Sequence, residues 1–362
     1  MEIFKNKKVL VTGHTGFKGS WLVTWLHHLG ADIYGLSDKI VTEPSNFNAS
    51  QLQDIVKTFW VNILDQNLVK ETIKKIEPDF IFHLAAQALV GQSYIDPVNT
   101  LQVNSIGTAN ILDSVREIPK RITIVMITSD KVYDNVEWKW GYRENDLLGG
   151  KDPYSASKAM AELAIKSYIH SFFSDSSKRI AITRAGNVIG GGDWAKDRIV
   201  PDCVMAWSRS QPVFIRNPKS TRPWQHVLEP LVGYLLLAAK LHSSEDYHSQ
   251  AYNFGPNAIN NFTVMDLIRE MSTLWNGSEW VDVSDKEKSF SEAQLLKLNC
   301  DKAFSDLSWQ PVLNFKETAD YTVEWYKEFY ESERSMLSFS ISQIESYIKL
   351  AKKRRINWAN EF

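Results

Sequence analysis

The stretch KVLVTGHTGFKGSWL constrains the fold of this chain more than any other. Lys8 to Thr12 form a short β-branched, apolar run, and Gly13, Gly16 and Gly19 separate it from a segment of helical character. Glycines at such a junction permit a tight turn and let the backbone approach a bound group closely. A helix opening directly behind the turn presents free N–H groups and the positive end of its dipole, which suits a pyrophosphate. Strand before and helix after make Gly13, His14, Thr15, Gly16, Phe17, Lys18 and Gly19 a candidate dinucleotide site rather than a plain turn. The spacing is G-x-x-G-x-x-G, which differs from the commonest fingerprint. Where a ribose-binding carboxylate is expected, near the end of the second strand, Ser37 stands at the position and Asp38 one residue later, leaving NAD or NADP open.

The same alternation continues through the first half. Apolar runs at Asp32 to Leu36, Lys57 to Ile63, Asp79 to Ala85, Ile122 to Thr128 and Arg179 to Arg184 alternate with helix-like segments. Short runs rich in Ile, Val and Phe read as strands covered on both faces. Their repetition predicts an α/β fold, a doubly wound parallel sheet of Rossmann type. Residues 154–173 have helical spacing with turn chemistry at DPY. After Ala185 the chain becomes rich in Gly, Trp and Pro, as loops over a sheet edge would be. EPLVGYLLLAAKL and QAYNFG read as one more helix and strand, followed by a smaller mixed C-terminal lobe. Residues 332–362 read as a helix whose KKRR is a solvated face.

Charge and cysteine content remove several classes of function. With 41 Lys+Arg against 43 Asp+Glu there is no global field to attract nucleic acid or an anionic membrane. Cys203 and Cys300 make no disulfide framework and no metal spacing, so a reducing cytoplasm is expected. No signal-type h-region and no run of about 20 apolar residues is present. His27 and His28 are adjacent without further ligand spacing, so no metal site is expected. Most of the 13 tryptophans should fill cores, with Trp194 and Trp224 the exceptions because they lie within loop motifs.

Tyr154 and Lys158 are four residues apart and share a helix face. An ammonium beside a phenol favours the phenolate, lowering its pKa from about 10, which makes Tyr154 a candidate base. Alone this is also the pattern of a surface pair; following a fifth strand and a glycine turn, it reads as a site.

In this order TGHTGFKG, FHLAAQ, VNSIGT, TSDKVYDN and YSASK resemble the extended short-chain dehydrogenase/reductases that modify nucleotide sugars. RAGNVIGGGDWAKDRIVPD and RPWQHVLEPL narrow the resemblance to the CDP-glucose 4,6-dehydratases. It runs from about Lys7 to Trp325. It implies tightly held NAD, a nucleotide-sugar substrate (CDP-glucose), and a homodimer joined through Rossmann-domain helices. The implied division is 1–185 plus about 227–256 for the NAD-binding domain, about 186–226 plus 257–345 for the nucleotide-sugar lobe, and 346–362 as a tail.

By the same resemblance Ser129 bonds the sugar 4-hydroxyl, Tyr154 is the general base, and Lys158 binds nicotinamide ribose. Ala85, Ala86 and Gln87 line the cofactor, Asn104 is a structural asparagine, and Asn62 with Ile63 contact adenine, Asn62 standing where relatives carry Asp. Asn187, Arg198 and Arg222 contact sugar and diphosphate, with His226 nearby; Trp194 and Trp224 are positioned to stack on a pyrimidine or sugar. Gly91 to Ser93 depart from relatives, which often have a basic residue just before the serine. Dehydration requires an acid at the C6 oxygen and a base at C5. Asp130 is the candidate acid, and Lys131 stands where related dehydratases place a glutamate base. A lysine acts as base only when neutral, and an adjacent aspartate opposes that, so Asp130 and Lys131 are expected to titrate as a coupled pair with their roles undivided. A 4-epimerase, a dehydratase for another nucleotide, and a cofactor-bound scaffold without turnover are the alternatives. A simple strand-end salt bridge is the bland one, although open α/β sheets bind ligands beyond the carboxyl ends of their strands.

Overall fold

In the computed structural model, which describes residues 1–174, 177–257, 262–284 and 295–362, the alternation of runs and helices builds one seven-stranded sheet. Its strands are β1 (Lys8–Thr12), β2 (Asp32–Ser37), β3 (Lys57–Trp60), β4 (Phe80–His83), β5 (Ile122–Ile127), β6 (Lys178–Ala185) and β7 (Ala251–Phe254). Their spatial order is β7-β6-β5-β4-β1-β2-β3, and every pairing is parallel. The switch in winding direction falls beside β1, at the glycine turn.

Side chains alternate across this sheet with the two-residue period of strands. Val9, Val11, Val125 and Ile127 join one buried cluster, with Trp21 and Trp25 of α1 (Phe17–His28). Leu10, Ile124 and Met126 join the other, against α2 (Gln66–Ile76), α3 (Gly107–Arg116) and α4 (Pro153–Phe172). Coverage on both faces is why the strands read as apolar runs. The third strand stops at Trp60, short of the expected Ile63, because the Asn62 side chain accepts from Leu64 N at 2.9 Å and closes a turn.

The entrance to α4 explains how DPY acts. Asp152 caps the helix, accepting from Ser155 N at 2.9 Å and from Ser155 Oγ at 2.6 Å, while Pro153 occupies the first turn, where its missing N–H costs nothing. Beyond β6 the loops carry two-residue strands: Val188–Ile189 pairs with Gln225–His226, and Thr221–Arg222 pairs with Phe262–Thr263. Helix α5 (Leu228–Ser243) then returns the chain to the sheet.

The C-terminal segment is helical, as its sequence suggested, and one side of it is buried. α6 (Phe315–Glu331) and α7 (Met336–Lys353) pack onto the same core as α1, with Tyr347 and Trp358 fully buried. Tyr347 meets Trp25 edge-on at 6.0 Å between ring centroids and donates its hydroxyl to Glu229 Oε2 at 2.6 Å. KKRR itself is exposed, yet Arg354 is tied to Glu317 at 2.5 Å. The physical reason lies in the residues beside the charges: Ile344, Tyr347, Ala351, Ile356 and Trp358 form an apolar stripe that must be covered.

Candidate active site

The glycine turn has the shape that close approach requires. Gly13 adopts φ +70°, and a Cβ there would stand 2.8 Å from Ala85 N. At Gly19 a Cβ would fall 2.1 Å from Gly13 O. Gly16 caps α1 without a side-chain bond, so first-turn amides face the turn. Beneath it Thr12 Oγ1 meets His83 Nδ1 at 2.8 Å and accepts from Ala85 N at 3.2 Å, while His83 Nε2 meets Thr108 Oγ1 at 3.1 Å. Burial, with Lys158 as a lesser cause, pushes His83 down to about 3, so its ring is neutral. Asn104 sits in a π-helical turn, Gln102–Ile106. Its side chain accepts from Gln87 N at 2.8 Å and donates to Gln87 O and Ser157 Oγ, tying the segment of Ala85, Ala86 and Gln87 to α4.

Several of the residues expected to contact the cofactor have partners within the chain. His14 points under β2 and β3, bonded to Ser37 Oγ and Thr58 Oγ1 at 3.0 Å each, and burial pushes it down to about 4. Ser37 is therefore occupied by His14, and Asp38 is the exposed residue at that strand end. Thr15 donates to Lys39 O, and Phe17 is half-buried beside Gly190. Asn62 is exposed, whereas Ile63 is buried against Gly107. Lys18 stands in the first turn of α1, where burial pushes it down to about 8, opposed by the charge of Asp130 and reinforced by those of Arg198 and Lys158.

TSDK leaves β5 as a capped 3-10 turn, Asp130–Val132. Ser129 Oγ donates to Asp130 Oδ1 at 2.9 Å and accepts from Lys131 N at 3.3 Å. Asp130 is only 6% exposed. Burial raises its pKa above the usual carboxylate value, opposed first by the charge of Lys131 and then by the Ser129 bond and Lys18. Gly186 leaves room for this carboxyl, since a Cβ there would lie 3.0 Å from Asp130 Oδ2.

Tyr154 and Lys158 emerge on one face of α4, and burial acts on the phenol more strongly than any neighbouring charge. Burial and the Asp130 charge raise Tyr154 to about 12, while a Ser129 hydrogen bond and Arg198 oppose them. The charge acting on Lys158 is that of Glu162, and burial brings the ammonium down to about 8. A nearby ammonium lowers a phenol only when it outweighs desolvation.

On the sugar side, one cleft is lined by Asp130, Lys131, Asn187, Thr221, Arg222, Pro223 and Leu296. Arg198 joins from the edge, its Nη1 2.7 Å from Asp193 Oδ2 and its charge felt by Tyr154. Two residues expected to contact the substrate are buried. Trp194 is 3% exposed and packs among Trp325, Tyr326 and Phe329, making it a core residue. His226 is fully buried between Trp21 and Tyr321, and burial holds it near 3. Trp224 is buried as well, its indole N–H without a partner. Motif position had suggested all three; aromatic neighbours enclose Trp194 and His226, and Trp224 belongs to the buried core cluster.

Sequence reasoning missed Glu162, Arg184 and Asp193. Asp193 lies inside GGGDW and anchors Arg198; Glu162 follows Lys158 by four residues, the spacing already used for Tyr154 and Lys158. Arg184 carried no local signal.

Comparison with known proteins places this geometry among relatives. Residues 10–322 match the family model described as GDP-mannose 4,6 dehydratase. The chain is 43% identical over 351 residues to a CDP-glucose 4,6-dehydratase of Salmonella typhimurium, covering 95% of this chain and 97% of that one. Two solved structures share the fold: a UDP-glucose 4-epimerase of Thermotoga maritima with UDP-glucose (TM-score 0.76, 22% identity, 90% of this chain and 100% of that chain), and a dTDP-glucose 4,6-dehydratase of Bacillus anthracis with NAD (TM-score 0.74, 22% identity, 89% and 97%).

Proposed function

The chain belongs to the GDP-mannose 4,6 dehydratase family, within the extended short-chain dehydrogenase/reductases, and on that premise we propose that it converts CDP-D-glucose to CDP-4-dehydro-6-deoxy-D-glucose with NAD. The observation that carries the reaction type is Asp130, buried beside Ser129 and pushed by that burial above the usual carboxylate range, in a cleft with Lys131. Exchange of configuration at C4 needs no acid at C6, whereas loss of water does. The nucleotide follows the Salmonella relative.

NAD fits the residues present: Gly13 and Gly19 leave space that any side chain would fill, and the first turn of α1 offers amides to a pyrophosphate. Bound there, NAD supplies the acceptor for a hydride from C4 and its donor to C6 within one turnover. Ser129 orients the 4-hydroxyl and Tyr154 is placed to take its proton, a step that requires the positive charges of Lys158 and of bound oxidised nicotinamide to offset the burial that raises the phenol. Asp130 and Lys131 share the two proton transfers that follow: one takes the C5 proton that the ketone acidifies, the other protonates the C6 oxygen, which departs as water, and a proton returns to C5 as C6 is reduced. Asn187, Arg198 and Arg222 hold sugar and diphosphate. A second copy of the chain covers Ile95, Val98, Ile106, Met160, Leu163 and Phe172, exposed apolar side chains on the helical layer of α4.

The test is incubation of purified protein with the CDP, dTDP, UDP and GDP forms of glucose labelled with deuterium at C4. A 4-ketone from the CDP sugar with the label at C6 of the same molecule is expected. Label in solvent or in free reduced cofactor overturns the reading, and sedimentation as a monomer overturns the dimer.

A further inference from the structure

Behind the catalytic turn lies a buried ion pair that the chemistry above does not use. Glu162 and Arg184 have fully buried side chains. Arg184 Nε donates to Glu162 Oε1 at 2.8 Å and Nη2 to Oε2 at 2.5 Å, a forked arrangement. Glu162 Oε1 also accepts from Thr128 Oγ1 at 2.6 Å. Arg184 Nη1 donates to Tyr133 Oη at 2.6 Å and to Glu144 O at 3.0 Å, and Tyr133 Oη donates to Asn253 Oδ1 at 2.8 Å.

The topology of these bonds matters more than their number. Thr128 immediately precedes Ser129, and Tyr133 closes the turn two residues after Lys131. One ion pair therefore grips both flanks of the segment bearing Ser129, Asp130 and Lys131. Glu162 stands on α4 one turn beyond Lys158 and two turns beyond Tyr154, on the same face. Its carboxylate thus joins the strand-end turn to the helix that carries the other two groups.

We propose that Glu162 and Arg184 are positioning residues, a clamp that sets the Ser129–Lys131 turn against Tyr154 and Lys158. This deepens the dehydratase reading and rests on it. A buried pair is a poor source of stability, because desolvating two charges offsets most of their attraction and an apolar replacement is often neutral. Such a pair is better explained by the geometry it imposes. Three charged or titratable groups bear on Lys158: Glu162 raises its pKa, while Lys18 and His83 lie close enough to interact, and burial lowers it to about 8. Glu162 is the charge that opposes that burial.

The experiment compares wild type with Glu162→Gln, the neutral double variant Glu162→Gln/Arg184→Met, and Thr128→Val and Tyr133→Phe, which leave the pair intact and cut one flank each. Thermal melts and bound NAD are measured first, then kcat, KM and the pH profile of kcat. Misplacement of about 1 Å costs on the order of a hundredfold, so the flank variants should lose roughly tenfold in kcat with KM little changed and melting unaltered. In the Glu162 variants the alkaline limb of the profile should move to lower pH, a displacement that mere loosening of the fold does not produce. Folded variants with wild-type kcat and an unmoved limb overturn the clamp; should the Glu162 variants not fold, the two flank variants decide by the same kcat criterion. Failure of wild type to turn over CDP-glucose would sink the parent reading instead, and is scored separately.

Discussion

Glu229 offers the sharpest physical test, because its charge state is coupled to the seating of the C-terminal segment. Its carboxylate is buried and accepts from Val312 N, Leu313 N at 2.7 Å and Tyr347 Oη at 2.6 Å. Burial nevertheless dominates and pushes its pKa up to about 7 from 4.5. The folded state therefore holds a proton that the unfolded chain releases above about pH 4.5, and stability falls as pH rises through this window, levelling off above about 7. A rise of that size corresponds to about 3 kcal/mol, or roughly 6 °C in Tm for a chain this long, at about 2 °C per kcal/mol. Glu229→Gln removes the ionisation and keeps the pattern of bonds: the amide oxygen can accept from Val312 and Leu313 while its NH2 donates to Tyr347. Melting curves from pH 5 to 8 should show wild type losing Tm relative to the variant by about that amount. Parallel pH dependences would refute the argument, as would a variant that is less stable by the same margin at both ends.

Three further outcomes follow from the site. Lys131→Ala should leave NAD bound and slow C5 solvent exchange on the order of a hundredfold or more; exchange measured by NMR at the wild-type rate removes Lys131 from the mechanism. Arg222→Ala, which deletes charge-assisted bonds worth about 2 kcal/mol, should raise KM roughly 30-fold, and steady-state kinetics showing a change in kcat alone would contradict its diphosphate role. Gly19→Ala should abolish NAD retention after gel filtration, since the new Cβ falls 2.1 Å from Gly13 O; retained cofactor would mean that the turn relaxes.

What the sequence determined by itself is whatever depends on near neighbours along the chain. Alternating apolar runs foretold the parallel sheet, the glycine spacing foretold the turn, Asp152 and Pro153 announced α4, and four-residue spacing put Tyr154 and Lys158 on one face. Charge environment was not legible, because desolvation depends on what the rest of the chain packs around a group. Tyr154 is raised rather than lowered, Lys18 in the first turn of α1 feels the charge of Asp130, and His14 bonds to Ser37. Nor could local pattern tell a stacking tryptophan from a core one, since the aromatic shelf from α6 that encloses Trp194 lies more than a hundred residues along the chain. Only tertiary structure brought Arg184 on β6 to Glu162 on α4 and sealed the last helix against Trp25. Backbone preference and periodicity are short-range and travel with the sequence, whereas burial and charge pairing belong to contacts that exist only once the sheet has closed around them.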